Sequence, residues 1–313
     1  DPSPTASVVG QLWYNSTSSS YKIAIAGSGV WAAGGSRNTG VQGAPGAGAQ
    51  TAAITMGGNL LPGVLTYNCE TYDGTSWSEV SNINSRRYNG SDAGTTTAAL
   101  LFGGTDNLPP GTLMLTEAYD GTSWSEVNDL LTGNTHMTEN IGIQTAALSV
   151  GGSASPNATN VLYNGTCWSE QNDLNTGRSG ASGCGTTTAA LICCGDPSTT
   201  SHPTETYNGT SWSTGNSVNT PRASAGSAMQ ASNTTALIFG GATPGSTDKT
   251  EEFDGTSWAE VGDLSGPITN NAGFGTGTAA LTVSGLNSGP PSITLASQEW
   301  NSPVLSIKTV TVT

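Results

Sequence analysis

A hexapeptide recurs five times along the chain, and its spacing constrains the fold more than any other feature. It reads YDGTSW at 72–77 and 119–124, YNGTCW at 163–168, YNGTSW at 207–212 and FDGTSW at 253–258. The tryptophans at 77, 124, 168, 212 and 258 are 47, 44, 44 and 46 residues apart. An apolar run closed by glycine keeps step with them: TAAITMGG (51–58), TAALLFGG (97–104), TAALSVGG (145–152), TAALICCG (188–195), TALIFGG (235–241) and TAALTVSG (278–285). From each Trp to the last glycine of the next run is 27 to 29 residues. Such a fixed period marks one supersecondary unit used repeatedly.

Two degenerate copies extend the series. Counting back 27 residues from Gly58 reaches Trp31 in GSGVW (27–31), and Trp300 in SQEW (297–300) follows Phe253 by 47. Trp300 thus stands where the other units carry Tyr72, Tyr119, Tyr163, Tyr207 and Phe253. The chain starts partway through one unit and stops partway through another.

Each unit reads as four short strands. TAALLF is apolar almost throughout, as a strand covered on both faces should be. LTEAYDG alternates, and the Asp-Gly or Asn-Gly that follows predicts a two-residue type I′ hairpin turn. TSWSEV is an outer strand around its Trp. A segment rich in Gly, Ser and Ala (ASAGSAM, 223–229) suits an innermost strand, where backbones crowd near an axis. Helical repeats of this length would need 3.6-periodic stretches, which are absent. Four strands per unit at this period predict an all-β fold, a β-propeller. Six blades are expected, with N- and C-terminal strands closing the ring. Seven are the alternative, if residues 1–26 and 302–313 build another. The expected division is a terminal hairpin or linker (1–26), the propeller (27–301) and a C-terminal strand (302–313).

The expected anchors are Trp31, Trp77, Trp124, Trp168, Trp212, Trp258 and Trp300. A large aromatic buries about 200 Å², on the order of several kcal/mol at about 25 cal/mol per Å². A chain with 43 Gly and only 35% hydrophobic residues needs such anchors. Disorder does not fit, because 8 Trp and 8 Tyr are regularly placed and only 10% of residues are charged.

The formal charge of -14 argues against nucleic acid or an anionic membrane as a partner. No apolar run approaches the roughly 18 residues of a membrane span. No signal peptide is legible, though a chain that begins at Asp1 says little on that point. Five cysteines, with Cys193 and Cys194 adjacent, lack metal-type spacing and read as small buried hydrophobes.

The sequence offers little for catalysis, and no enzyme activity, cofactor or metal is expected. His136 and His202 fall at different phases of different units, with no acidic or cysteine cluster beside them. Glu79, Glu126, Glu170 and Glu260 follow a Trp by two residues, and Asp129, Asp173 and Asp263 follow by five. One set per blade spreads these acids around a ring, so they read as solvated charges rather than a glycosidase pair. The Gly-rich segment 34–50 sits where other units have an inner strand, not a phosphate loop.

The turns of the hexapeptide share one rim. The loops after the Gly-Gly landmark share the other, and they differ in length and chemistry. Recognition usually lies on variable loops carried by a rigid scaffold. The candidate ligand-binding residues are therefore Leu108, Asn157, His202 and Asp248.

Gly103-Gly104, Tyr119, Trp124 and loops ending in Arg86, Arg178 and Arg222 resemble the kelch pattern over residues 27–300, with Cys194-Gly195 as a departure. VVGQLWYNSTSSSYKI (8–23) resembles a hairpin of bacteriophage tail and fibre proteins, and the near-identical low-charge repeats resemble propellers of marine tailed phages. These resemblances imply a non-enzymatic virion surface protein, a tail fibre or similar appendage, for host attachment or display. They imply an extracellular setting, a host-surface glycan as ligand, other virion proteins joined through the terminal strands, and self-association as an option. The alternative expectation is a secreted or cell-surface bacterial propeller that binds polysaccharide or builds extracellular assemblies.

Overall fold

The computed structural model describes residues 11–26, 29–60, 63–109, 111–136, 141–196, 203–228, 230–289, 292–302 and 305–310. These residues form antiparallel sheet and no helix. Six of the sheets have four strands. The first holds Gly46–Ala49, Ala52–Met56, Cys69–Tyr72 and Trp77–Val80. The second to fifth repeat this order over 91–127, 141–170, 179–217 and 226–260. The sixth takes three strands from 272–301, and its outer strand is Val30–Ala33 from the start of the chain. There Trp31 lies opposite Trp300, as Trp77 lies opposite Tyr72. Radially arranged four-stranded antiparallel sheets are the architecture of a β-propeller.

Innermost strands are small because they meet. Gly46–Ala49 contacts the innermost strands of both the second and the sixth sheet, and those of the second to sixth link in sequence order. Glycine is required where neighbours close in. A Cβ at Gly48 would stand 2.2 Å from the Ala52 carbonyl, and one at Gly46 2.6 Å from the Phe274 ring.

Packing runs from each sheet to the one before it. Tyr119 and Trp124 of the second sheet lie on Ile54, Met56 and Cys69 of the first. Tyr163 and Trp168 cover Leu100 and Phe102, and Tyr207 and Trp212 cover Leu148 and Val150. Tyr72 and Trp77 of the first sheet cover Leu281 and Val283 of the sixth. The apolar TAAL strand is therefore covered on both faces, Leu100 and Phe102 by the aromatic pair of the next unit, and Ala99 and Leu101 against Ile54 and Met56 of the preceding sheet. Within each pair the rings sit about 5 Å apart.

The hexapeptide turn corrects the expected two-residue hairpin. Tyr72 pairs with Trp77, so four residues bridge the strands. Only the glycine is left-handed, with φ between 89° and 95° at Gly74, Gly121, Gly165, Gly209 and Gly255. The Asp73 carboxylate accepts the amides of Thr75 and Ser76, both at 2.8 Å. That cap removes the need for a positive φ at the first position. Asn164 and Asn208 cap in the same way through Oδ1. An acceptor oxygen is the shared requirement, which is why Asp and Asn alternate there. The Ser76 and Thr75 amides hold the Asp73 carboxyl below its usual range.

Four buried ion pairs tie connecting segments to sheets: Arg37–Glu70, Arg87–Glu117, Arg178–Glu205 and Arg222–Glu251. Each Glu lies two residues before the aromatic of its third strand and is fully buried. Glu117 also accepts the main-chain amides of Asn84 and Ser85, at 2.7 and 3.2 Å. Arg87, not the expected Arg86, supplies the guanidinium, and its Nη1 donates to the carbonyls of Gly103 and Leu115. Burial pulls the Arg87 pKa down, against the opposing charge of Glu117. The first sheet takes its guanidinium from Arg37, six residues after the preceding Trp31, where the others have it ten after the preceding Trp. Two sheets lack the pair altogether, and both members are replaced together. The third has Asn134 and Val161 at the matching positions, and the sixth has Ile268 and Gln298.

Removing one member of such a pair strands a buried charge, at a cost of about 3–5 kcal/mol, whereas replacing both costs far less. Glu117→Val alone is expected to lower the free energy of unfolding by that amount. Adding Arg87→Asn, which copies the third sheet's own solution, should restore most of it. Urea unfolding of wild type and both variants measures the difference.

Candidate functional site: the axis and the two rims

One rim narrows around a circuit of six residues. Gly43, Asn89, His136, Gly180, Ser224 and Asn270 each follow a Trp by 12 positions, and all have φ between 50° and 59°. Each amide donates to the carbonyl of its predecessor, and Gly43 donates to Asn270, at 2.7–3.0 Å. The space they surround is about 30 Å³, room for little more than a water.

A second circuit lies outside the first. Gly58, Gly104, Gly152, Gly195, Gly241 and Gly285 donate their amides to Arg87, Asn134, Arg178, Arg222, Ile268 and Val41 of the following connections. This is the physical content of the Gly-Gly landmark. Its first residue is left-handed and tolerates Cys194 (φ 64°) and Ser284 (φ 59°), whereas its second is glycine in all six copies. A Cβ at Gly104 would press within 2.9 Å of the Tyr88 carbonyl.

His136 stands in the inner circuit, and among the described residues its side-chain neighbours are amides and hydroxyls. Asn89 Nδ2 donates to its Nε2 at 2.7 Å, and Ser153 Oγ lies 3.4 Å from Nδ1. Burial holds its pKa below the ordinary value of 6.5. Because the folded state binds the proton more weakly than the unfolded chain, this group adds stability above the unfolded pKa. That contribution is lost as pH falls through the lowered folded value.

The opposite rim opens on the axis. A cavity of about 520 Å³ is lined by the turns between first and second strands of the second to fifth sheets. Its polar groups are hydroxyls and amides, among them Thr95, Thr186, Gln230, Ser232 and Asn233, beside apolar Ile143 and Ala146. Among the described residues no ionisable side chain lines it.

Two further cavities flank the propeller's connecting segments, at the third sheet (about 300 Å³) and at the sixth (about 320 Å³). They occur at the two sheets without the buried Arg–Glu pair. Where a guanidinium and a carboxylate are missing, the volume they fill elsewhere is left open.

The expected loop-rim residues are not brought together. Leu108 is 54% exposed at a loop tip. The Asn157 carbonyl accepts the Arg178 amide and the Asp248 carbonyl accepts the Leu264 amide, so both backbones brace connections. None of these three residues lines any of the four cavities. His202 lies outside the described residues. Among the expected anchors, Trp77, Trp124, Trp168, Trp212, Trp258 and Trp300 are buried and Trp31 is half-buried. Trp168 and Trp258 donate Nε1 to Thr116 and Thr204 of the preceding sheets, at 3.3 and 2.8 Å. At the corresponding place below Trp212 stands Asn160, and Trp212 Nε1 has no partner.

Cys69, Cys184, Cys193 and Cys194 are buried thiols, and Cys167 is exposed. Burial pushes Cys69 and Cys184 up to about 12, out of the range of a nucleophile. Among the described residues no three His, Cys, Asp or Glu side chains gather as a metal site would require. The acids that follow four of the tryptophans by two residues, Glu79, Glu126, Glu170 and Glu260, are exposed on separate sheets.

Comparison of the sequence with family models and with curated proteins finds no match. Among solved structures, the fold is similar to one titled "Structure of YjhT", with a TM-score of 0.65 and 13% identity, covering 89% of this chain and 99% of that one. At that identity the likeness shows the fold, a β-propeller, and nothing of its chemistry.

His136→Asn tests the inner circuit, since Asn89 and Asn270 already occupy equivalent left-handed positions. Wild-type stability is expected to fall between about pH 7 and about pH 5 as the unfolded chain takes up the proton. The variant should show a flatter dependence over that window, read from urea midpoints.

Proposed function

We propose that the chain is a six-bladed, kelch-like propeller closed by its terminal strands, and a non-enzymatic virion surface protein that binds a neutral glycan. The neutral axial cavity carries this reading. Its volume falls within the usual range of ligand sites, about 300–1,000 Å³. Threonine, serine, glutamine and asparagine supply donors and acceptors for sugar hydroxyls. Ile143, Ala146 and Ala189 offer an apolar surface for the C–H face of a sugar ring. Glycoside hydrolysis needs two carboxyl groups about 5–9.5 Å apart, and among the described residues the cavity lining has none, which supports binding without turnover.

This places recognition on the turn rim, opposite the variable loops that the sequence alone favoured. Attachment to a particle is supported by the resemblance of the N-terminal segment to tail-fibre hairpins. Leu12–Asn15 and Ser20–Ala26 form a hairpin, and Leu305–Val310 extends it to three strands, with Tyr21 opposite Val310. This sheet is separate from the six four-stranded ones.

The purified protein is expected to bind neutral oligosaccharides on a glycan array and, added in excess, to slow adsorption of the particle to its host. Ile143→Arg places a charge at an exposed position, 56% accessible, without touching the core. It should abolish glycan binding at unchanged melting temperature. Binding that survives this change, or an array that shows no neutral glycan bound, overturns the reading.

A further inference from the structure

The cavity at the third sheet is lined by acids as well as neutral acceptors, whereas the described lining of its counterpart at the sixth has neutral acceptors alone. In the second, fourth and fifth sheets, guanidinium Nη1 donates to the carbonyls of Leu115, Pro203 and Lys249. The matching carbonyl in the third sheet is Thr159, which receives the Gly151 amide at 2.8 Å and no guanidinium. Beside it, Asn160 is 1% exposed and lines the cavity, and its Oδ1 has no hydrogen-bond partner. A buried acceptor in that state costs about 1–3 kcal/mol until a donor reaches it. Glu170 and Asp173 line the same cavity from the outer strand and the turn after it.

The fifth sheet shows what this pair of acids does when a cation is in reach. Glu260 and Asp263 occupy the same places relative to Trp258 as Glu170 and Asp173 do relative to Trp168. Between them lies the Lys249 ammonium, 2.9 Å from Asp263 and 3.7 Å from Glu260. Lys249 aligns with Thr159, so the third sheet keeps the carboxylates and the carbonyl while its own lysine and arginine are both gone. At the sixth sheet the arginine is gone too, but Ala33 of the outer strand and Ser36 beyond it stand in place of the acids. Gln298 there accepts the Ser265 amide at 2.9 Å, so that cavity has no unmet acceptor of this kind.

We propose that the cavity of the third sheet is a binding site for an organic cation, a primary ammonium or guanidinium group of side-chain size. The head group donates to Asn160 Oδ1 and the Thr159 carbonyl, and its charge is met by Glu170 and Asp173. Leu131, Pro156 and Val161 contact its aliphatic stem. The site is independent of the axial cavity and of the glycan reading.

Titration calorimetry on the intact protein tests it with agmatine and cadaverine as probes and 1-butanol as the uncharged control. Saturable binding of at least one cation, absent for the control, is expected. Glu170→Gln, at an exposed position, should weaken it about tenfold or more. The double variant Asn134→Arg, Val161→Glu rebuilds the buried pair of the other sheets and should abolish binding while the protein stays folded. A capped Lys- or Arg-containing peptide, run in parallel, separates a partner's side chain from a free amine as the natural source. Failure of both cations to bind wild type, or binding unchanged in Glu170→Gln, overturns the proposal. Ile143→Arg is expected to leave cation binding intact, so loss of glycan binding and loss of this site are separately visible.

Discussion

Every sheet in this protein leaves polar main-chain groups at its ends that only the next sheet can satisfy. The amide of the second glycine in each Gly-Gly landmark donates forward to the next connection, and the left-handed residue at the head of each innermost strand donates back to the previous one. Both series return to their starting point after six bonds. A buried amide without an acceptor is expensive, so no sheet can be displaced without exposing donors on two neighbours. The aromatic roofs obey the same logic, since each Tyr–Trp pair covers apolar surface that belongs to the preceding sheet. Stability in a chain with few large aliphatic residues therefore resides between the repeats more than within them.

The buried Arg–Glu pairs belong to this scheme. The backbone of Arg87 accepts from Gly58 of the first sheet, while its side chain grips Gly103, Leu115 and Glu117 of the second. One residue thus fastens two sheets. The third and sixth sheets do without it, and each keeps a cavity. Asn134 preserves one function of the lost arginine, donating Nδ2 to the Gly151 carbonyl at 2.8 Å.

Much of the architecture was legible because it is written in residue identity at fixed spacing. The Trp positions, the Gly-Gly runs and the pairing of Trp31 with Trp300 followed from counting. The buried glutamates were missed because Glu70, Glu117, Glu205 and Glu251 sit in alternating strands, where a polar residue normally faces solvent. Only the recurrence of Glu two before the aromatic, together with an Arg ten after the preceding Trp in three of the four cases, could have signalled a pair. The inner circuit had no signature of composition, since Gly, Asn, His and Ser all serve there. What unites them is backbone conformation at a constant distance from Trp. The turn was misjudged because Asp-Gly also opens a four-residue loop when the carboxylate caps it. The variable loops attracted attention by their diversity, and two of them, 153–160 and 286–294, do line cavities, at the sheets where the ion pair is missing.

The three-stranded terminal sheet has a mechanical meaning. Strand 20–26 enters the propeller at its Ala26 end, and strand 305–310 leaves the propeller at its Leu305 end, directly opposite. The far ends, Tyr21 and Val310, also lie together. A pull on Val310 away from the propeller passes along that strand's own covalent backbone and leaves the ladder unloaded. A force that draws the two far ends apart opens the pairs one at a time, from Tyr21–Val310 toward Ala26–Leu305. The short sheet is thus a zipper whose fixed end is the propeller.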